Sequence, residues 1–151
     1  MRSIEIIENP VSGKFDLAHL QNIHLTLFQD VYDWAGKIRT VDISRGNSRF
    51  ANVRFIESAA NDFFNKLARE NHLKGLNANA LSKRLAHYLS EINALHPFRE
   101  GNRRVQRIFI SQLSEAAGYK LDYSDLEQEQ IYRAMEPTKM YSSSLECAPN
   151  P

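Results

Sequence analysis

The segment from His96 to Arg107 concentrates groups that can carry out chemistry between two stretches of apolar-periodic sequence. It reads HPFREGNRRVQR, and so holds a histidine, a carboxylate, a glycine–asparagine pair and several arginines. A histidine titrates near neutral pH and can take a proton from an attacking hydroxyl. Arginine forks suit phosphate oxygens, and a carboxylate together with phosphates suits a magnesium ion. The segment therefore predicts a site that holds a polyphosphate and deprotonates a hydroxyl.

The spacing within this segment sharpens the prediction. Gly101 and Asn102 precede a predicted helix, whose free N–H groups and positive dipole end favour an anion. Gly101 lets the backbone approach a phosphate closely, and Asn102 either caps the helix or donates its amide to a phosphate oxygen. Arg104 and Arg107 are three residues apart and hence on one helical face. These positions favour phosphate binding at a helix N-terminus.

Each group also has an ordinary structural interpretation. Histidines such as His96 more often cap helices than catalyse, and Glu100 by itself is an ordinary solvated carboxylate, but within this motif we favour a catalytic base and a metal ligand. The arginines by themselves form a solvated helix face, which we expect for Arg99. His24 is predicted to be a hydrogen-bonded core histidine, and ligands spaced for a zinc site are lacking. The other histidines are expected at the surface: His19, His72 and His87.

Apolar residues spaced by three and four predict five helices around this segment. The first is capped by Asp16, has apolar positions up to Val31 and is ended by Gly36. The next begins near residue 57, and a third over 78–95 is ended by Pro97. The remaining two are predicted over about 103–118 and, from a capping box at residue 124, to just before residue 137.

Only one part of the chain has a strong β signal. Residues 38–43 and 49–53 read as strands, and residues 44–48 between them carry turn chemistry. A hairpin alone is marginal in water, so it must lean on its neighbours. We therefore expect an all-α fold, a helical bundle with one small β-hairpin.

Length and charge limit the domain organisation and the partners. The 151 residues fit a single domain over 1–151, with a core over about 12–136 and a loose tail over about 141–151. A formal net charge of +1 provides no global field for nucleic acid, so we expect no nucleic-acid partner. No secretory or membrane-spanning apolar run is found in the sequence, so we expect no membrane partner and a cytoplasmic location.

The segment resembles the signature of Fic-domain proteins, His-x-Phe-x-(Asp/Glu)-Gly-Asn-Gly-Arg-x-x-Arg. Residues 28–41, FQDVYDWAGKIRTV, resemble the family's stretch before its flap, and residues 43–50 resemble the flap hairpin. Residues 57–73 resemble the helix after it, so the resemblance covers about residues 12–136. It implies the Fic fold and an enzyme that moves AMP from ATP onto a Ser, Thr or Tyr hydroxyl of a target protein.

The resemblance also implies a role for each residue of the motif. His96 is the expected general base and Glu100 the expected ligand of Mg²⁺. Gly101 and Asn102 are expected to line the site of the α-phosphate. The flap, residues 43–50, is expected to hold the target protein by strand pairing, which makes little demand on the target's sequence.

Further residues are implied in nucleotide binding. Arg104 and Arg107 are expected to hold the β- and γ-phosphates. Arg45 and Gly46 in the flap, and Asn93 beside the motif, are expected to contact the nucleotide.

Arg103 departs from the family pattern, which has a glycine at that position. Doc-type toxins of the same superfamily carry a lysine there, bind ATP turned round and transfer phosphate, although they lack the arginine that this chain keeps as Arg107. Arg103 is compatible with reoriented ATP, with a weakened enzyme or with simple tolerance, and it also fits a substitution that disarms a toxic protein. We expect it to lie among the nucleotide-binding residues, and to add strain if its position requires a positive φ.

Many relatives carry an inhibitory helix with a Ser/Thr-x-x-x-Glu-Gly/Asn pattern. Only Ser142 and Glu146 match it in part, with Cys147 in place of Gly or Asn. This favours a separate antitoxin that supplies the inhibitory helix. The resemblance thus leaves three functions open: an AMP-transferring toxin or effector, acting in the bacterial or a host cytosol, a Doc-like protein kinase, and a disarmed module held by an antitoxin.

Overall fold

The computed structural model describes residues 13–45, 48–121 and 145–147. In chain order its helices are α1 (Leu17–Phe28), α2 (Ile56–Arg69), α3 (Ala78–Leu95) and α4 (Asn102–Ala116), with 3₁₀ turns at Val53–Phe55 and Asn71–Leu73. Its strands are β1 (Ser44–Arg45), β2 (Ser48–Arg49), β3 (Tyr119–Leu121) and β4 (Leu145–Cys147). The predicted all-α fold with a small hairpin is confirmed. The helix predicted from residue 124 lies outside the described residues.

Helix α4, which follows the chemical motif, is the centre of the bundle. It packs against α1 on one side and α3 on another, and buries apolar and polar side chains around much of its circumference. A helix buried on several faces is fixed by protein contacts rather than by solvent. Helix α2 is amphipathic and covers α1 and α3 with one apolar face. The N-terminus of α4 is therefore held on a rigid base.

Helix α1 begins where the sequence predicts and ends earlier. The Asp16 carboxylate accepts a hydrogen bond from the His19 N–H at 2.9 Å. The His19 ring, which was expected at the surface, is buried. Its polar atoms keep partners there, because Phe15 N–H donates to Nδ1 and Nε2 lies 2.8 Å from Gln112 Oε1. The helix stops at Phe28, and Val31 is 67% exposed.

The early end of α1 has a cause in its neighbourhood. After Phe28 the chain turns back over the helix, and the Gly36 N–H donates to Nδ1 of His24 at 2.9 Å. Gly36 has φ +78°, and a Cβ there would lie 2.9 Å from Cβ of Leu25. Gly36 thus serves the return of the chain against α1 instead of ending the helix.

In the described part of the hairpin the strands are much shorter than predicted, with Ser44 paired to Arg49 and Arg45 paired to Ser48. Residues 38–43 form no strand, and Val53–Phe55 is a 3₁₀ turn. One more backbone bond, from Phe50 N–H to Ile43 O at 3.4 Å, extends the hairpin. Beyond it, side chains satisfy the backbone: Asp42 accepts from Val53 N–H at 2.7 Å, and Arg39 donates to Ala51 O at 2.6 Å. Alternating apolar residues therefore did not make strands.

A second strand pair was not predicted. Strands β3 and β4 are antiparallel, with Tyr119 opposite Cys147 and Leu121 opposite Leu145. Leu145–Cys147, within the predicted tail, forms β4. Strand pairing joins segments far apart in sequence, which local patterns do not report. Within the described ranges, no helix has the length and apolar character that crossing a membrane requires.

Helices α2 and α3 are joined by a polar cluster. Arg84 donates from Nε and Nη2 to the two carboxylate oxygens of Glu70 at 2.8 and 2.7 Å, and the Tyr88 hydroxyl donates to the same carboxylate. The Arg84 hydrogen bonds lower the pKa of Glu70. Burial, followed by the contact with Glu70, raises the pKa of Tyr88 to about 12. The cluster stabilises the fold while Glu70 is ionised.

Replacing Glu70 with glutamine should therefore destabilise the protein at pH 7, by about 1–3 kcal/mol for lost charge-assisted hydrogen bonds. Because the folded-state pKa is lowered, this contribution is complete above the ordinary value of 4.5 and is lost as the pH falls through the lowered pKa. Urea unfolding at pH 7 and below pH 4 measures it. Glu115→Gln, an exposed carboxyl on α4, is the control. A stability difference that does not shrink at low pH contradicts the assignment.

Candidate active site

A cavity of about 650 Å³ opens between the end of α3, the start of α4 and the end of α1. It brings together eight of the ten residues predicted for the site, and four more: Phe28, Tyr32, Phe50 and Arg99. Its wall consists of Phe28, Tyr32, Phe50, Asn93, His96, Arg99, Glu100, Gly101, Asn102, Arg103, Arg104 and Arg107. Imidazole, carboxylate and guanidinium groups thus share one opening.

His96 ends α3 in a left-handed conformation, with φ 46° and ψ 64°. Its Nδ1 lies 3.3 Å from the carbonyl oxygen of Asn93, and its ring stacks on Phe50 with centroids 3.8 Å apart and planes 11° apart. A hydrogen bond from Nδ1–H to that carbonyl favours the tautomer in which Nε2 carries the lone pair. The arrangement orients an imidazole able to accept a proton at Nε2.

Gly101 and Asn102 shape the loop in front of α4. Gly101 is the N-cap at φ +82°, and a Cβ there would lie 2.4 Å from Cε2 of Phe28. The Asn102 side chain does not cap the helix. Its Oδ1 accepts from Phe98 N–H at 2.9 Å, and its Nδ2 donates to Phe98 O at 2.7 Å. The asparagine therefore holds the loop closed, and the first N–H groups of α4 remain the phosphate donors that the helix end offers.

Glu100 is exposed, and its Oε2 accepts a hydrogen bond from the Tyr32 hydroxyl at 2.7 Å. Within the described residues, no group of three or more His, Cys, Asp or Glu side chains encloses an ion. A single carboxylate fits Mg²⁺, which keeps several waters and takes other ligands from substrate phosphates. Tyr32 orients that carboxylate at the cavity wall.

The backbone of Glu100 is held by His24, a fully buried histidine as predicted. His24 accepts at Nδ1 from Gly36 N–H, so its Nε2–H donates to Glu100 O at 2.9 Å. Burial lowers the pKa of His24, which favours the neutral form that this pair of bonds requires. Its ring also stacks on Phe98 at 4.0 Å. A neutral imidazole thus ties α1 to the loop.

The arginines extend around the mouth of the cavity. The Arg104 guanidinium lies 5.7 Å from the ring centre of Phe28, and that of Arg99 lies 5.7 Å from the ring centre of Trp34. Arg103 is exposed and belongs to α4, and it is not among the residues with positive φ. The strain that a positive φ would have imposed on Arg103 is therefore absent. Together these cations compensate for the weak net charge of the chain by a local positive field.

Two predicted residues, Arg45 and Gly46, stay predictions. Gly46 lies outside the described residues, and Arg45 is described only as a position in β1. Conversely, the sequence left three contributors without a role: Tyr32, Phe50 and Arg39. Tyr32 lies in the segment that resembles the family, which could have drawn attention to it. No local sequence signal reveals the stacking of Phe50 on His96.

The fold and the cavity define a helical protein in which an imidazole, a carboxylate and several guanidinium groups line one opening. The sequence profile of the Fic/DOC family matches residues 14–114, and the chain belongs to this family.

Two relatives and one solved structure illustrate its similarities. It is 52% identical over 134 residues to the protein adenylyltransferase VbhT of Bartonella schoenbuchensis, covering 89% of this chain and 28% of VbhT. It is 46% identical over 113 residues to the probable protein adenylyltransferase Fic of Escherichia coli, covering 75% of this chain and 56% of that protein. The N-terminal Fic domain of a VirB-translocated effector of Bartonella quintana, solved with bound ADP, has a TM-score of 0.80 at 28% identity, covering 94% and 73% of the two chains. The chain thus spans roughly a quarter to a half of the length of these two curated relatives.

Gly101→Ala should destabilise the protein more than Gly75→Ala does. Both glycines have similar positive φ values, +82° and +85°, but a Cβ at Gly75 has nothing within 4 Å. The backbone cost of about 1–2 kcal/mol is shared, and the clash with Phe28 adds about 1–3 kcal/mol at Gly101. Urea unfolding of the two variants isolates the steric part. Equal losses would show that the loop does not press against Phe28.

Proposed function

We propose that this domain is a protein adenylyltransferase, which moves AMP from ATP to a Ser, Thr or Tyr hydroxyl of a target protein. The observation that carries the proposal is the shared cavity, in which the oriented imidazole of His96 faces the same space as the N-terminus of α4, Glu100 and Arg104. The names of the two relatives as adenylyltransferases and the ADP bound to the Bartonella quintana domain support it.

The nucleotide phosphates are assigned to the start of α4. Its first N–H groups and positive dipole end attract an anion, and Gly101 presents no side chain there. Arg104 and Arg107 lie one turn apart and supply guanidinium forks for the outer phosphates. Asn93 lines the other side of the cavity, next to His96. Glu100 would hold Mg²⁺, and the ion would supply positive charge that stabilises the nucleotide phosphates.

The transfer itself needs a base and a positioned alcohol. The target hydroxyl oxygen forms a bond to the α-phosphorus, the bond from that phosphorus to the oxygen bridging the β-phosphate breaks, and pyrophosphate leaves. The hydroxyl proton passes to Nε2 of His96, the nitrogen that the Asn93 contact leaves as the acceptor. Strand pairing on the flap, whose paired residues are Ser44–Arg45 and Ser48–Arg49, is the proposed means of positioning the target.

The direct test combines His96→Asn with labelled ATP. Asparagine tolerates the left-handed backbone of this position but cannot act as the base. Transfer of label from the α-phosphate to lysate proteins should fall by about 10²- to 10⁴-fold, while ATP affinity and the melting temperature stay nearly unchanged. His87→Asn, an exposed histidine on the same helix, is the control and should keep full activity. Unfolding of His96→Asn would instead indicate a structural histidine.

Arg103 is the observation that favours a second candidate, a Doc-like protein kinase. It lines the cavity at the first turn of α4, where a cation can draw the outer phosphates towards the helix. Transfer would then attach the γ-phosphate instead of AMP. A third outcome, a disarmed module, predicts a tightly bound antitoxin and label of neither kind.

Arg103→Gly and Arg103→Ala distinguish these functions. Because Arg103 imposes no backbone strain, we expect α-phosphate label in the wild type and its retention in both variants. The alanine variant preserves helix propensity, so it separates loss of the charge from added flexibility. Mass spectrometry of target peptides separates adenylate from phosphate adducts. Phosphate adducts that vanish in both variants would establish the kinase, and no adduct in any of the three proteins would remove transfer altogether.

Regulation and location stay predictions. Glu146, the partial match to an inhibitory pattern, lies in β4 and not in a helix. We therefore retain a separate antitoxin as the proposed source of an inhibitory helix. Because the related Bartonella quintana protein is a translocated effector, the proposed place of action is the bacterial or a host cytosol.

A further inference from the structure

Arg39 carries a guanidinium that is shielded from water and bonded to four backbone carbonyls. Its side chain has 0% exposure. Nε donates to His96 O at 2.6 Å and Nη1 to Val41 O at 2.7 Å. Nη2 donates to Ala51 O at 2.6 Å and to Leu95 O at 3.1 Å. A buried charge is costly unless it is hydrogen-bonded in this way, so the site is built around the arginine.

The four carbonyls belong to two different parts of the site. Leu95 and His96 lie at the end of α3. Val41 lies just before the flap, in the entering stem, and Ala51 lies just after the flap, in the leaving stem. Two backbone bonds run parallel to this link: Arg39 N–H donates to Pro97 O at 2.9 Å, and Ala51 N–H donates to Ala94 O at 3.0 Å. One side chain therefore joins both flap stems to the end of the helix that presents the histidine.

The ring contact at His96 depends on the same joint. Phe50 directly precedes Ala51, and its ring lies parallel to the His96 imidazole at 3.8 Å. A shift of the leaving stem would move this ring, and with it one wall of the cavity. The hydrogen bonds of Arg39 thus hold the position of the flap relative to α3, and with it the Phe50 ring that stacks on the His96 imidazole.

We infer that Arg39 is a positioning residue, which fixes the distance between a target hydroxyl held on the flap and Nε2 of His96. The inference rests on the proposed function, because a flap-bound hydroxyl has to reach that nitrogen. Burial lowers the pKa of Arg39. The Asp42 carboxylate, 4.0 Å away, raises that pKa, and the guanidinium stays charged. Lysine cannot replace it, since a single ammonium lacks the planar fork that spans four acceptors.

Arg39→Lys tests the inference, with Lys37→Met, an exposed cation of the same segment, as the control. Misplacing the reacting groups should lower the turnover number for a protein target by about 10- to 100-fold, while the Kd for ATP changes by less than about twofold. The NMR resonances of the His96 ring in the ATP-free protein provide a second readout. Their upfield ring-current shift, defined by its loss in Phe50→Leu, should also be lost in Arg39→Lys and kept in Lys37→Met.

The NMR readout does not depend on which group is transferred, so it can succeed even if the adenylyltransferase proposal fails. An unchanged ring-current shift together with unchanged turnover in folded Arg39→Lys would overturn the inference. If that variant does not fold, the rate at which the Arg39 Nε–H exchanges with solvent in the wild type tests the inference instead. We expect it to be slower by at least about tenfold than at the exposed Arg54 and Arg99, and equal rates would overturn the inference.

Discussion

The loop from His96 to Gly101 has no helix or strand of its own, so its peptide groups need hydrogen-bond partners outside regular secondary structure. Arg39 takes the His96 carbonyl, His24 takes that of Glu100, and Asn102 takes both polar groups of Phe98. Leaving such groups unpaired in the interior costs about 1–3 kcal/mol each. Satisfying them fixes the positions of the imidazole and the carboxylate. The site is thus preorganised by the same bonds that stabilise the loop.

The electrostatics of the site are as local as its hydrogen bonds. A net charge of +1 gives the protein no general attraction for anions, yet the helix end and the arginines around it point into one cavity. The buried cation, Arg39, faces carbonyls away from solvent, and the buried histidine, His24, is kept neutral by its two partners. The exposed cations thus line the cavity, while the buried groups hold the framework.

The helical periodicity of apolar residues predicted the helices well. The spacing of apolar residues located α3 over Ala78–Leu95, and α2 and α4 within one residue of their starts, because these helices bury apolar faces that recur every three or four positions. The same reasoning extended α1 too far and made strands of residues 38–43 and 49–53. In these regions a side chain, His24 or Arg39, bonds the backbone in place of helix or strand hydrogen bonds and overrides the local preference.

The sequence by itself determined the helical class, through the spacing of apolar residues, and the family resemblance. It also determined the groups of the motif, because residues that are neighbours in the chain stay close together in the fold. It also determined that Gly101 stands before a helix N-terminus, which is enough to expect an anion there. Only the tertiary structure decided that Phe50 stacks on His96, that Tyr32 holds Glu100 and that Arg39 joins the flap to α3. The Tyr32–Glu100 contact joins residues 68 positions apart, and the Arg39–His96 contact joins residues 57 positions apart. Such pairs depend on how packed helices bring distant segments together, and no local periodicity encodes that.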